Sequence, residues 1–246
     1  MAWIAWRAGT LSISGAPAAA TVGTLILYGT SWTGGAVLAA FFVSSSLVSK
    51  VSIPTPAAYA DPKSDRRDAW QVYANGGPAA LAALLASSDM DLRTWIVTAS
   101  LAAAASDTWA TSLGSLSRVQ PRLLWSSHPV PPGTSGGVTL AGCVGACIGA
   151  VIVSGTAALV TGNARLLPAG TLIGFLGMLA DSVLGGAVQA RFHCGSCDQP
   201  SEWRVHRCGN TTERKAGVLW LNNDGVNFLA TTLAACMGWA AWRGLD

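Results

Sequence analysis

Long apolar stretches alternate with short polar ones along the chain, and each apolar stretch is about as long as a membrane is thick. A spanning helix needs roughly 20 mostly apolar residues. Windows of that kind fall near 14–30, 32–49, 69–87, 92–114, 136–161, 165–190 and 218–242. The pattern predicts an all-α fold, a polytopic transmembrane helix bundle of about seven spans, with residues 1–246 forming a single integral membrane domain. The first window is the most interrupted, by Pro17 and three glycines. Met1 to Leu11 reads as an interfacial helix, with Trp3, Trp6 and Arg7 suited to the headgroup level. Its apolar run is too short and broken to read as a cleaved leader.

Composition sharpens the class. The chain is 51% hydrophobic and only 11% charged, with a mean hydropathy of +0.42, against a charged share of roughly 25% in soluble domains. Its 28 glycines, with abundant Ala, Ser and Thr, suit helices that approach closely through small residues. Seven spans would put twelve Lys and Arg on one side, among them Arg7, Lys50, Lys63, Arg66 and Arg67, and three on the other, Arg93, Arg165 and Arg243. That bias predicts a cytoplasmic N-terminus and cytoplasmic loops after spans two, four and six. The expected location is the plasma membrane of a prokaryote.

Every polar cluster that intrudes on a span falls on this basic side. SSSLVSK (Ser44 to Lys50) ends span two, SDTWATSLG (Ser106 to Gly114) ends span four, and ADSVLGGAVQAR (Ala180 to Arg191) ends span six. RRDAWQVYANGG (Arg66 to Gly77), PVPPGTSGG (Pro129 to Gly137) and LNNDGVN (Leu221 to Asn227) open spans three, five and seven. A carboxylate at the centre of a membrane helix costs at least roughly 2.5–3.5 kcal/mol and is usually kept for a function. Asp107, Asp181 and Asp224, each expected one to two turns inside its span, are the three to explain. Solvation at the interface, or helix capping, is the plainer account of any one of them.

Three carboxylates with Asn222, Asn223 and Asn227 are oxygen ligands suited to a hard cation, and Mg²⁺ is commonly held by one or two carboxylates plus substrate phosphates. Lys50, Arg66 and Arg67 on the same face suit phosphate oxygens, whereas Lys63 is expected only to set topology or touch anionic lipid. Asn75, Gly76 and Gly77, and Thr134, Ser135 and Gly136, belong to glycine-rich runs expected at helix starts, where free amides favour anions. Either run also reads as a turn or a close-packing device. No Walker A loop occurs.

The segment 192–217 reads as a cytoplasmic Cys/His loop. Cys194, Cys197, His206 and Cys208 have the spacing of a tetrahedral structural zinc site, with reduced, metal-free thiols as the alternative. Cys143, Cys147 and Cys236 lie in apolar spans and read as small packing residues.

Taken in order, RRDAWQVYANGG, SDTWATSLG, PVPPGTSGG, ADSVLGGAVQ and LNNDGVNF resemble the integral membrane family that includes the plant phytyl-phosphate kinase of vitamin E synthesis. The resemblance covers nearly the whole chain from about Ser14. Asp107, Ala110 and Gly114, followed by Pro-Gly-Thr-x-Gly-Gly, are more distantly similar to elements of dolichol kinases and CDP-diacylglycerol synthases. The resemblance implies Mg-dependent, CTP-dependent phosphorylation of a prenyl monophosphate to the diphosphate. The expected partners are a nucleoside triphosphate, CTP foremost, a prenyl-phosphate lipid and membrane lipid, with no nucleic acid. A CTP:lipid-phosphate cytidylyltransferase is the adjacent alternative. A transporter using the intramembrane carboxylates is the alternative of another class, and it predicts polar residues continuing to the outer face. The Cys/His loop departs from the plant members, so zinc is not expected in catalysis.

Overall fold

The computed structural model describes residues 2–52, 66–86, 89–206 and 208–244; Lys63 and Arg207 lie outside them. Its elements in chain order are α1 (Ala2–Arg7), α2 (Gly15–Val48), α3 (Ala69–Leu85), α4 (Met90–Gly114), β1 (Arg122–Leu123), β2 (Gly137–Val138), α5 (Leu140–Thr161), α6 (Leu166–Val188), β3 (Arg191–Cys194), β4 (Gln199–Ser201), β5 (Glu213–Ala216) and α7 (Asn223–Arg243). The fold is mostly helical, as the hydrophobic pattern predicts.

Local chemistry sets where the helices start. Asp68 and Gln71 form a reciprocal capping box that opens α3, each side chain accepting from the other's backbone N–H at 3.0 Å. Thr139 caps α5 through Gly142 N at 3.0 Å, and Asn222 caps α7 through Gly225 N at 2.9 Å. These caps move two starts inward from the apolar windows, from 136 to Leu140 and from 218 to Asn223. A hydropathy window counts apolar residues whatever their conformation, and here they lie in β2 and in the approach to α7.

α2 is two helical segments that meet at Ser31, whose backbone is left-handed at φ 56°. A Cβ on Gly35 would come 2.5 Å from the Leu27 side chain, and one on Gly23 3.6 Å from Leu38, so the halves fold back as a hairpin. Pro17 is harmless because it sits in the first turn, where no amide partner is needed.

Among the described residues three helices, α2, α5 and α6, are long and apolar enough to cross a membrane. α4 carries more polar residues, and it lies at the centre, packed against α2, α3, α5, α6 and α7. Every residue from Thr94 to Ser106 on it is buried, which is the signature of a helix covered all round. Exposed aromatics mark both ends of the bundle, Trp3, Trp70 and Trp220 at the basic end and Tyr28, Trp32 and Trp239 at the other.

Candidate functional site

The centre of the site follows from how α4 packs on α6. The two run parallel, with small residues in register: a Cβ on Gly174 would lie 3.0 Å from that of Ala102, and one on Gly177 2.5 Å from that of Ala103. One turn further along both helices come Asp107 and Asp181, side by side, and their carboxylates interact electrostatically. Each lies about two turns before the end of its helix. Oδ2 of Asp181 is buried and has no hydrogen-bond partner. An orphaned acceptor beside a second carboxylate is a costly arrangement in a protein interior, and it has the charge and donor type that a hard divalent cation requires.

The loop before α5 lies over the next turn of α6. Arg122 and Leu123 in β1 pair with Gly137 and Val138 in β2, which folds the segment back on itself. Gly136 has φ +83°, and a Cβ there would lie 2.6 Å from both Ser182 O and Gly186 Cα. No side chain fits, so the Thr134 to Gly136 backbone reaches the helix turn that follows Asp181. Thr134 is turned into its own loop, donating from Oγ1 to Pro131 O at 2.8 Å. Ser135 donates to the Glu202 carboxylate. Beside it is Gln189, buried at the end of α6, whose Oε1 also lacks a partner.

The other expected residues divide between this centre and its rim. Asn227 is buried on α7, and its backbone carbonyl accepts from Thr231 Oγ1 at 2.8 Å. Asp224 is not one to two turns deep, as its position in an apolar window suggests. It is the second residue of α7, in the first turn that Asn222 caps, with exposed Asn223 beside it. Among the described residues the three aspartates do not bring one oxygen each within 4.8 Å of one another. α7 runs antiparallel to α4, with a Cβ on Gly238 falling 2.6 Å from that of Ala99, and this sends its N-terminus outward past the pair.

Asn75, Gly76 and Gly77 are not at a helix start either. α3 begins at Ala69, and they follow its first turn, with Asn75 Nδ2 donating to Gln71 O at 2.9 Å. A Cβ on Gly76 would meet Val22 of α2 at 2.8 Å. Gly76 serves helix packing, whereas a Cβ on Gly77 would meet nothing nearer than the Phe228 ring at 3.8 Å, and Asp68 accepts from one amide of the helix start, Gln71 N. Lys50 and Arg66 are exposed at the basic end, where Arg66 borders a depression of about 580 Å³ with Ser12, Ile13 and Ser14. Arg67 sits between the Phe41 and Phe42 rings, its guanidinium carbon 5.8 Å from each centroid, and burial lowers its pKa to about 10. Its backbone pairs with the N-terminal segment, accepting from Ser12 N at 3.0 Å and donating to Thr10 O at 3.1 Å. Arg67 therefore braces the rim.

The Cys/His segment is a small ribbon between α6 and α7. Its three-stranded antiparallel sheet runs β4-β3-β5, and its base is closed by Ala190 N to Leu221 O and Val218 N to Val188 O, both 2.9 Å. The Cys194, Cys197, His206 and Cys208 ligand atoms all lie within 4.8 Å of one another. The His206 hydrogen bond lowers the Cys208 thiol to about 6, while the Cys208 and Cys194 thiols and burial raise Cys197 to about 11. Glu202 and Gln189 are the site residues that sequence reasoning missed. Gln189 stands in the quoted ADSVLGGAVQ run as the polar residue ending an apolar span, whereas nothing near Glu202 in sequence points to Ser135.

The family described as integral membrane protein DUF92 matches residues 1–235, which include all five ordered motifs. The chain is 30% identical over 268 residues to Protein PGR of Arabidopsis thaliana, covering 96% of this chain and 90% of that protein. It is 31% identical over 219 residues to an uncharacterized membrane protein of Methanocaldococcus jannaschii, covering 88% of this chain and 79% of the other. No solved structure matches. With one relative from a plant and one from an archaeon, the family does not assign the chain to a prokaryotic plasma membrane.

Proposed function

We propose, starting from the fact that this chain belongs to the DUF92 family of integral membrane proteins, that it is a magnesium- and CTP-dependent kinase. It converts a prenyl monophosphate, phytyl-like in character, to the diphosphate at the cytoplasmic membrane face. The observation that carries the reading is the juxtaposition of Asp107 and Asp181 inside the bundle, with Asp181 Oδ2 buried and unpartnered. In support, the pair lies at the basic end, under a side-chain-poor loop, and the ordered motifs resemble those of the phytyl-phosphate kinase family.

In this reading Asp107 and Asp181 hold Mg²⁺, with Asp224 at the mouth of the site and Asn227 on the adjoining wall. The ion, when bound, neutralises charge on the nucleotide phosphates. A non-bridging oxygen of the lipid phosphate attacks the γ-phosphorus of CTP, the bond to the β-phosphate oxygen breaks, and CDP leaves with the electron pair. The attacking oxygen is already ionised, so no strong general base is needed, in keeping with the absence of His from the motif runs. Backbone at Thr134 to Gly136 approaches the phosphates without side-chain obstruction. Lys50 and Arg66 draw the anionic substrates to the basic end, and Arg67 keeps the start of α3 in place. The crossing count of about seven, with the N-terminus in the cytoplasm, belongs to the same proposal.

The test is incubation of the purified protein with Mg²⁺, γ-labelled CTP or other nucleoside triphosphates, and phytyl, geranylgeranyl or farnesyl monophosphate. Label on the lipid with release of CDP is expected. Release of pyrophosphate would replace the kinase with a cytidylyltransferase, and failure with every pair would remove both.

A further inference from the structure

The ribbon has almost no core of its own. From Arg191 to Ala216 the buried residues among those described are Phe192, Cys194, Ser201 and His206. So small an apolar nucleus does not hold three short strands in water, and natural folds of this size add a cross-link or a metal. A disulfide does not fit, because Cys194 Sγ and Cys208 Sγ are 3.7 Å apart and a disulfide needs about 2.05 Å. A tetrahedral zinc site with bonds of roughly 2.3 Å to sulfur has an S···S edge of about 3.8 Å. His206 Nδ1 lies 3.2 Å from Cys208 Sγ, which makes Nδ1 the nitrogen that faces the cluster. Each ligand pair sits in a tight turn closed by a left-handed residue, Asp198 (φ 50°) after Cys197 and Gly209 (φ 87°) after Cys208. Asn210 Nδ2 donates to Cys208 Sγ at 3.5 Å, the kind of outer contact that steadies a thiolate ligand.

We propose that Cys194, Cys197, His206 and Cys208 bind one zinc ion that folds the ribbon and so fixes Glu202 against Ser135 of the glycine-rich loop. β4 leads from the first ligand pair directly to Ser201 and Glu202. Trp203 is pinned on the other side, its N–H donating to Ser201 Oγ at 3.1 Å and its carbonyl accepting from Thr212 Oγ1 at 2.6 Å. The metal thereby sets the position of a carboxylate that holds Ser135, in the loop whose Gly136 lies against the turn of α6 that follows Asp181. This inference does not depend on the kinase reading, because its readouts are metal content and spectrum.

Full-length protein purified in detergent without chelator is expected to carry one zinc per chain by elemental analysis. After the metal is stripped, Co²⁺ is expected to restore one site with the visible ligand-field and thiolate charge-transfer bands of tetrahedral cobalt. The double variant C194S/C208S is expected to lose both signals while retaining the helical circular dichroism of the bundle, and Glu202→Gln to keep both. Iron in place of zinc, a Cys194–Cys208 disulfide by mass spectrometry, or stripped wild-type protein that takes up neither Zn²⁺ nor Co²⁺ would each overturn the proposal.

Discussion

The bundle and the ribbon each gather ligating atoms at one point, but the gathering means opposite things in the two. In the bundle apolar contact is abundant, with α4 buried continuously from Thr94 to Ser106, so the Asp107–Asp181 pair adds nothing that the packing lacks. Two adjacent carboxylates there lower stability, and their presence argues for a ligand. In the ribbon apolar contact is scarce, so the zinc proposed at Cys194, Cys197, His206 and Cys208 would supply what the fold lacks. Polar clustering marks chemistry where the core is sufficient without it, and architecture where it is not.

The sharpest way to break this comparison is to remove one member of the aspartate pair. Asp181→Asn keeps the shape and discards one of two repelling charges. Its lipid-kinase activity is expected to fall by more than about 100-fold, since even groups one step removed from a metal cost about 10–100-fold. Its melting temperature in detergent is expected to stay level or rise. Wild-type turnover, or a large loss of stability, would mean that the pair is architectural after all.

A second contrast uses glycine. A Cβ on Gly29 would lie 2.0 Å from Ala83 O, where α2 crosses α3, while one on Gly195 in the ribbon meets nothing within 4 Å. Gly29→Ala is expected to cost about 1–3 kcal/mol, the usual penalty of overpacking. Gly195→Ala should stay within about 0.5 kcal/mol, as surface changes do. Thermal unfolding in detergent, followed by circular dichroism for the first and by limited proteolysis of the ribbon for the second, separates them. Comparable losses would show that the ribbon is as tightly packed as the bundle.

The same difference explains what could be read from the residues alone. The apolar windows fall on the helices to within a turn or so, and the interrupted window with Pro17 forms the first half of α2. Asp107 and Asp181 stood out as carboxylates at similar depth. Their adjacency depends on the register of Ala102 and Ala103 against Gly174 and Gly177, which no periodicity within one helix encodes. Asp224 misled because Val218 to Leu221 are apolar without being helical. A glycine pair such as Gly76 and Gly77 looks alike in a phosphate loop and inside a packed helix, and the start of α3 at Ala69 is what tells them apart. The Ser135–Glu202 contact joins residues 67 positions apart through two loops, and only their packing reveals it.

The smallest expected effect compares one polar contact from each region. Thr231 Oγ1 lies 2.9 Å from Ala74 O on α3 and 2.8 Å from Asn227 O in its own helix, in a buried position. Thr231→Val keeps the volume and leaves Ala74 O without a donor, which is expected to cost about 1 kcal/mol. The exposed Lys215–Glu213 pair in the ribbon is also within hydrogen-bond distance, at 3.1 Å, yet water competes for both ends, and Lys215→Ala is expected to cost roughly 0–0.5 kcal/mol. Measured side by side in unfolding experiments at low and high salt, the Thr231 effect should not change with ionic strength. If the Lys215 effect proved the larger, charge would be holding the ribbon and the metal would be secondary.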